Sequence, residues 1–328
     1  MEKIFSSQLQ TQVDLLKRIK KNIGPINTTS HLPMVEDLID IGMSENHEII
    51  YKAKTYRDES LGHLSWLKIL HCLKTILVQA RRGISFSKKE DVSGFNHLHI
   101  LMGAQAAHIC RIKINVKGYE NLDPNRSYIF APTHGSILDS FLLYLVLNSW
   151  NLGFLVKDEF RTNFFLHLLA GKAMKYSNNF FFVQRGDISS GMEAMNQITT
   201  HVINNKNKIS MVLFPQGTLS KARIDNAGKR IDGDLYAKGP LQGGVAYLSM
   251  ATLRLGNPIE IVPIVVNGVN RIWPKISSPI LVNQNVEYII SKPIHPSEFQ
   301  NTTKPIKAIL KKIDQVYRAN YKAPISPS

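Results

Sequence analysis

Residues 131–139 read Ala-Pro-Thr-His-Gly-Ser-Ile-Leu-Asp, and the predicted elements of the chain are organised around this stretch. The short apolar run 127–130 precedes it and leaves a turn at 123–125, a pattern that predicts a buried strand. The long apolar run 140–147 follows it and predicts a core helix. His134 is therefore expected just beyond the carboxyl end of a strand, in the crevice where open α/β sheets bind ligands.

His134 and Asp139 are suited to act as a pair. A neutral imidazole can take up a proton near pH 7 when another group fixes its tautomer. Asp139 falls in the first turn of the predicted helix, where the helix dipole keeps a carboxylate ionised and able to orient the ring. The structural alternative is a capping box, in which Ser136 caps the helix and Asp139 reaches back to it.

From about residue 111 onward the chain alternates between predicted strands and predicted helices. This alternation predicts an α/β fold, with a largely parallel sheet covered by helices on both faces. The loops that leave parallel strands then gather at one edge of the sheet. The predicted strands lie at 152–156, 179–183, 209–214, 259–266 and 286–290, and the predicted helices at 160–174, 189–204, 243–255 and 304–317.

Three further motifs follow the His-Asp stretch in order. They read Phe-Val-Gln-Arg-Gly-Asp at 182–187, Leu-Phe-Pro-Gln-Gly-Thr at 213–218 and Ile-Val-Pro-Ile at 261–264. Together with a histidine, four residues and an aspartate, they resemble the glycerolipid acyltransferase (PlsC-like) family, in particular its 1-acylglycerol-3-phosphate acyltransferase branch. The resemblance covers roughly residues 114–292.

The resemblance implies the transfer of a fatty acyl group from a thioester, either acyl-CoA or an acylated carrier protein. The acceptor is a hydroxyl of a lysophosphatidate-like lipid, with glycerol 3-phosphate or another lysolipid as alternatives. His134 is then the general base and Asp139 its support, with no metal ion and no bound cofactor. Backbone N–H groups of the motif loops are expected to stabilise the oxyanion.

Arg185 matches the family position that binds the phosphate of the acceptor. A guanidinium suits this role, because it is always charged and offers a planar fork to phosphate oxygens. An ion pair with Asp187 or with another carboxylate is the alternative for this arginine.

Gln216, Gly217 and Thr218 are expected to contact substrate, and here the sequence departs from the family. Gln216 stands where the family usually has glutamate, and Leu219 stands where it usually has arginine. A glutamine keeps an acceptor oxygen but loses the charge. The departures leave acyl transfer in place and weaken the assignment of the acceptor.

The composition points to anionic partners. The chain has 328 residues, 44% of them hydrophobic, and a formal net charge of +15. An anionic membrane surface fits this charge, whereas no nucleic-acid-binding motif accompanies it. The two cysteines, Cys72 and Cys110, have no metal or disulfide spacing, and no signal peptide or clear transmembrane span is recognisable. We therefore expect a peripheral protein on the cytoplasmic side of a membrane.

The domain organisation is predicted to be a helical N-terminal region at 1–110 and an α/β acyltransferase domain at 111–328. An acidic helix is predicted at 34–50. The segment 61–82 predicts an amphipathic helix, anchored by Trp66 and rimmed with basic residues, which would lie on a membrane surface. A core-facing helix with a solvated basic side is the alternative for this segment.

Three other functional classes compete with this prediction. A hydrolase would use Ser136 as its nucleophile, but no Gly-x-Ser-x-Gly turn surrounds that serine. A lipid-binding protein of the same fold, altered at its catalytic site, is suggested by Gln216 and Leu219. A nucleic-acid binder is suggested by charge alone.

Overall fold

The computed structural model describes most of the chain beyond residue 92 and parts of the region before it. The described residues are 14, 16–21, 35–44, 46, 48–54, 92–159, 179–184, 186–204, 208–217, 219, 223–224, 230–231, 240–274 and 280–322. The predicted helices at 61–82 and 160–174 lie outside them, and so do Arg185 and Thr218.

Strands and helices alternate in the described part of the chain, as the sequence predicts. The strands are β1 (Ile39–Met43), β2 (Ile49–Ala53), β3 (Lys113–Lys117), β4 (Tyr128–Pro132), β5 (Asn151–Lys157), β6 (Phe180–Val183), β7 (Ile209–Val212), β8 (Arg223–Ile224), β9 (Arg230–Ile231), β10 (Glu260–Asn267) and β11 (Asn285–Ile290). The helices are α1 (Val35–Leu38), α2 (Val92–Ile109), α3 (Asp139–Val146), α4 (Ile188–Asn204), α5 (Gly244–Arg254) and α6 (Pro305–Asn320). None of these described helices is both long and apolar enough to cross a bilayer.

Nine of the described strands form one mixed sheet, in the order β1-β2-β3-β11-β10-β4-β7-β5-β6. The block β10-β4-β7-β5-β6 is parallel throughout. β3 and β11 run parallel to each other, while β10 and β11 are antiparallel. The prediction of a largely parallel sheet is therefore confirmed. Because the strands of the block run the same way, the loops after β4, β6, β7 and β10 meet at one edge.

The central strands are apolar because both of their faces are covered. Every residue of β4 and of β7 is buried, as expected for parallel strands between two layers of helices. On one face α2 and α3 pack over a core cluster that includes Phe130 and Leu142, and on the other α4, α5 and α6 pack over a second cluster that includes Ile198 and Ile309. Gly103 allows α2 to approach α3, because a Cβ at this position would collide with the carbonyl oxygen of Phe141.

The acidic helix predicted at 34–50 is wrong. Only α1 is helical there, and β1 and β2 form an antiparallel hairpin after it. β2 alternates between buried and more exposed positions and pairs with β3, with Tyr51 opposite Ile114. This pairing partner lies about 60 residues away, so tertiary pairing overrides the local signal. The N-terminal region, expected to be helical, thus contributes two strands to the sheet, while the domain division near residue 110 stays a prediction.

Candidate active site

The loop that carries His134 is fixed to the neighbouring strand. The N–H of Thr133 donates to the carbonyl oxygen of Ile264 at 2.9 Å, and the Thr133 hydroxyl oxygen accepts the N–H of Val266 at 2.9 Å. β4 thus continues its pairing with β10 for one residue beyond its end. His134 follows immediately, at the carboxyl edge of the sheet, where the sequence predicted it.

His134 and Asp139 form a hydrogen-bonded dyad. Nδ1 of His134 lies 2.8 Å from Oδ2 of Asp139. An ionised carboxylate only accepts, so Nδ1 carries the proton and Nε2 keeps its lone pair. The Asp139 side chain is 1% exposed and that of His134 is 21% exposed. The dyad therefore has a buried support and a ring that solvent or a substrate can reach.

The same carboxylate oxygen also folds the loop. Oδ2 of Asp139 accepts the backbone N–H groups of Gly135 and Ser136, at 2.8 and 2.9 Å. Asp139 thus reaches back to Ser136, as the capping-box alternative predicted. The Ser136 hydroxyl instead accepts the N–H of Leu138, and α3 begins at Asp139. Oδ2 of Asp139 therefore makes both the capping contact and the contact to the imidazole.

Backbone donors in this loop are already engaged. Each N–H from 133 to 138 donates to an oxygen within the protein, and that of Ile137 donates to the carbonyl of Trp273 at 3.1 Å. An oxyanion hole needs N–H groups that point at the substrate. The expectation that the His134 loop supplies these donors does not fit its geometry.

Gln216 brings a second motif against His134. Its side-chain oxygen accepts the N–H of His134, and the Phe214 ring stacks on the imidazole with centroids 4.0 Å apart. The turn closes through Gly217, whose φ of +66° is in the left-handed region and whose N–H donates to the Phe214 carbonyl at 2.9 Å. A glutamate at this position would offer the same acceptor, so the departure at Gln216 conserves the contact.

The structure brings four of the predicted site residues together: His134, Asp139, Gln216 and Gly217. Substrate contact by Gln216 and Gly217 stays a prediction, and Arg185 and Thr218 lie outside the described residues.

Sequence reasoning missed several residues that support the site. Trp273 accepts hydrogen bonds from Ile137 and from the Ser136 hydroxyl, and the Tyr317 hydroxyl donates to the carbonyl of Ala131 at 2.6 Å. Neither contact has a signal in the local sequence. Phe214, by contrast, stands inside a quoted motif, where an aromatic ring beside the expected histidine could have been considered.

Comparisons with known proteins find similarity to acyltransferases. Residues 113–267 match the family model described as Acyltransferase. The chain is 28% identical over 205 residues to 1-acyl-sn-glycerol-3-phosphate acyltransferase LPAT1, chloroplastic, of Arabidopsis thaliana, covering 62% of this chain and 50% of that protein. It is 27% identical over 205 residues to 1-acyl-sn-glycerol-3-phosphate acyltransferase BAT2, chloroplastic, of Brassica napus, covering 62% and 52%. The chain spans about half the length of the curated relatives it matches.

A solved structure has the same fold. The crystal structure of the 1-acyl-sn-glycerophosphate (LPA) acyltransferase PlsC from Thermotoga maritima matches with a TM-score of 0.50 and 17% identity, over 77% of this chain and 94% of that chain. At this identity the match concerns the fold alone. The family model and the fold agree: through residues 113–267, the chain is similar to the Acyltransferase family.

Proposed function

We propose that this protein transfers a fatty acyl group from a thioester donor to a hydroxyl of a lysophosphatidate-like acceptor. The observation that carries the proposal is the His134–Asp139 hydrogen bond of 2.8 Å, at the carboxyl edge of a sheet within the region similar to the Acyltransferase family. The names of the two plant relatives, both 1-acyl-sn-glycerol-3-phosphate acyltransferases, support the choice of acceptor. Acyl-CoA and an acylated carrier protein are the two donors to compare.

His134 acts as the general base in this proposal. Nε2 takes the proton of the acceptor hydroxyl while that oxygen attacks the thioester carbonyl. The tetrahedral intermediate then collapses, the carbon–sulfur bond breaks, and the imidazolium returns the proton to the thiolate. Asp139 holds the ring and stabilises its charged form. General-base assistance contributes about a hundredfold to ten-thousandfold, and orientation of the two substrates supplies much of the remainder.

The geometry disfavours the hydrolase alternative. Ser136 is fully buried, and its hydroxyl is committed to Trp273 and to Leu138. A serine nucleophile needs an accessible hydroxyl beside its base. The lipid-binding alternative differs from our proposal by a single result, which is whether an ester forms.

The decisive test is an acyl-transfer assay. Purified protein is incubated with radiolabelled acyl-CoA or acylated carrier protein and with lysophosphatidate, glycerol 3-phosphate or uncharged lysolipids. We expect labelled ester with lysophosphatidate and none above background with His134→Ala. The variant should keep the circular dichroism and melting temperature of the wild type, since His134 is partly exposed. A folded His134→Ala protein with normal turnover would contradict the mechanism.

Arg185 is proposed to bind the phosphate of the acceptor, on the strength of its match to the family motif. Arg185→Ala should lower kcat/KM on phosphate-bearing acceptors about ten- to a hundredfold, the usual cost of one charge-assisted contact. Arg185→Lys should recover only part of this loss, because an ammonium lacks the planar fork. Uncharged acceptors serve as the control, and equal losses on both acceptor types would contradict the assignment.

The protein is further proposed to act on a membrane surface, at the edge of the sheet where His134 lies. The net charge of +15 favours anionic lipid. Among the described residues, the large apolar side chains that are exposed are Ile188, Met192 and Leu255. Ile188 and Met192 are one turn apart on α4, which begins at this edge. Leu255 follows α5 at the opposite edge.

These positions give a matched test of membrane orientation. Binding to anionic vesicles should weaken as salt rises, because screening shortens the reach of surface charge. The double variant Ile188→Ser/Met192→Ser should bind less than the wild type, whereas Leu255→Ser should bind normally. Equal binding by both variants would contradict the orientation, and equal binding to neutral and anionic vesicles would contradict the electrostatic part.

A further inference from the structure

Tyr288 of β11 has a buried hydroxyl with no evident use in packing. The residue is 0% exposed, and its hydroxyl oxygen has no hydrogen-bond partner among the residues that the structure describes. Burying a hydroxyl without a partner is costly, so such groups in folded proteins need an explanation. A phenylalanine would fill the same space without that cost.

Asp139 likewise has a buried oxygen that lacks a hydrogen-bond donor among the described residues. Its Oδ2 accepts three hydrogen bonds, while its Oδ1 is buried and accepts none from the described residues. A buried carboxylate is stabilised by every donor that reaches it. The core around the dyad thus holds one buried donor and one buried acceptor that are both unsatisfied.

The sheet register brings Tyr288 close to the dyad. Tyr288 pairs with Val266, and Val266 donates its N–H to Thr133, the residue before His134. The Tyr288 side chain belongs to the core cluster under α3, together with Leu138 and Leu142. Tyr288 therefore lies level with the beginning of the His134 loop and on the same face of the sheet as Asp139.

The electrostatic environment keeps Tyr288 protonated. Burial raises the pKa of its hydroxyl well above the ordinary value, and the nearby charge of Asp139 raises this pKa further. The hydroxyl is therefore available as a donor at every physiological pH.

We propose that Tyr288 is a positioning residue, whose hydroxyl donates a hydrogen bond to one buried water that in turn donates to Oδ1 of Asp139. This water bridge fixes the plane of the carboxylate, so that Oδ2 faces Nδ1 of His134. It also stabilises the ionised form of Asp139, on which the orientation of His134 depends. Where activity is the readout, this inference rests on the proposed function.

The first test is Tyr288→Phe, which removes only the hydroxyl. We expect kcat to fall about three- to tenfold with KM unchanged, because the base acts in the transition state. The acidic limb of the kcat/KM profile should move to higher pH. A carboxylate that loses a donor ionises at higher pH, and it holds the imidazolium proton more tightly.

Tyr51→Phe is the matched control. Tyr51 is also fully buried on a strand, but its hydroxyl accepts from the amide of Asn148, which follows the end of α3 opposite Asp139, at 3.4 Å. This variant should leave the pH profile unchanged. In an Asp139→Asn background, Tyr288→Phe should have no further effect on kcat, because the two residues act through one water bridge. Additive losses, or a loss of kcat with an unmoved pH profile, would overturn the proposal.

A second measurement needs no substrate. The protein is labelled with ¹⁵N-histidine, and the His134 signal is identified among the eleven histidines by its loss in His134→Gln. The pH midpoint of the His134 titration should rise in Tyr288→Phe and stay fixed in Tyr51→Phe. If it rises while no acyl transfer is found, the proposed function fails and the Tyr288 link stands. An unchanged midpoint in a folded Tyr288→Phe protein would overturn the link.

A second variant, with the opposite expected effect on the His134 titration midpoint, keeps the proposal testable. If Tyr288→Phe does not fold, 3-fluorotyrosine is introduced at position 288. Its more acidic hydroxyl donates more strongly, so the titration midpoint of His134 should fall. A midpoint that does not move would also overturn the proposal.

Discussion

Two carboxylates near the same edge of the sheet, the buried Asp139 and the partly buried Glu287, differ in how completely they are paired. Glu287 of β11 accepts from Lys117 at 2.8 Å, from Lys322 at 2.8 Å and from the Asn267 amide at 3.2 Å. Burial alone would raise the pKa of Glu287, but these hydrogen bonds lower it to about 2. Asp139 instead concentrates its described contacts on one oxygen, and one of its donors is a partly exposed imidazole. The pairing of Glu287 suits a role in stability, whereas the proposed function uses Asp139 to orient His134.

The largest expected effect is on the reactive carboxylate. Asp139→Asn should lower kcat about a hundredfold or more, because an amide neither stabilises the imidazolium nor fixes the Nδ1–H tautomer. Its oxygen can still accept a backbone N–H, so the free energy of unfolding should change little. Kinetics and urea unfolding on the same preparation measure both quantities. A large loss of stability with normal kcat would erase the contrast with Glu287.

Glu287→Gln should show the reverse. We expect a loss of about 1–2 kcal/mol in the free energy of unfolding, since Lys322 loses its described partner and Lys117 keeps only Glu48, while solvent weakens each pair. The kcat of the folded protein should stay at the wild-type value. Asp314→Asn removes an exposed pair with Arg318 on α6 and should cost less than about 1 kcal/mol. A fall in kcat with Glu287→Gln would show that the two carboxylates are coupled.

Acid should remove the contribution of Glu287. Because its folded pKa lies below the unfolded value, this contribution is fully present above the unfolded pKa of about 4.5. It is lost as the pH falls towards 2. The difference in unfolding free energy between wild type and Glu287→Gln should therefore shrink between pH 4.5 and pH 2. A difference that persists at pH 2 would contradict an electrostatic origin.

The smallest effect should come from Gln216, whose side-chain oxygen accepts a hydrogen bond from the N–H of His134. Gln216→Leu should lower kcat about five- to tenfold, because the N–H of His134 loses its acceptor. Gln216→Glu keeps that acceptor and should change kcat no more than about threefold. Equal losses in the two variants would mean that the amide group itself acts on substrate.

The parts of the fold with local signals were predictable from the sequence. The apolar runs around His134 predict β4 and α3 within one or two residues, and the alternation predicts the parallel block. The hairpin of β1 and β2 was not predicted, because its edge pairing with β3 depends on distant residues. The residues of the site likewise divide into those with a local sequence signal and those that depend on distant parts of the chain. Its dyad is encoded in six consecutive residues, whereas Trp273 and Tyr288 reach it only through the sheet.

The hydrogen bond from Tyr317 to Ala131 joins residues 186 positions apart and has a consequence for biogenesis. A ribosome releases β4 and the His134 loop long before it releases α6. The partners of β4 arrive in between, first β7 and then β10. Such distant contacts make folding slow. The nascent chain therefore carries His134, the proposed general base, without all of its supporting contacts for most of its synthesis. Catalytic competence comes late, as the last described helix closes over the sheet.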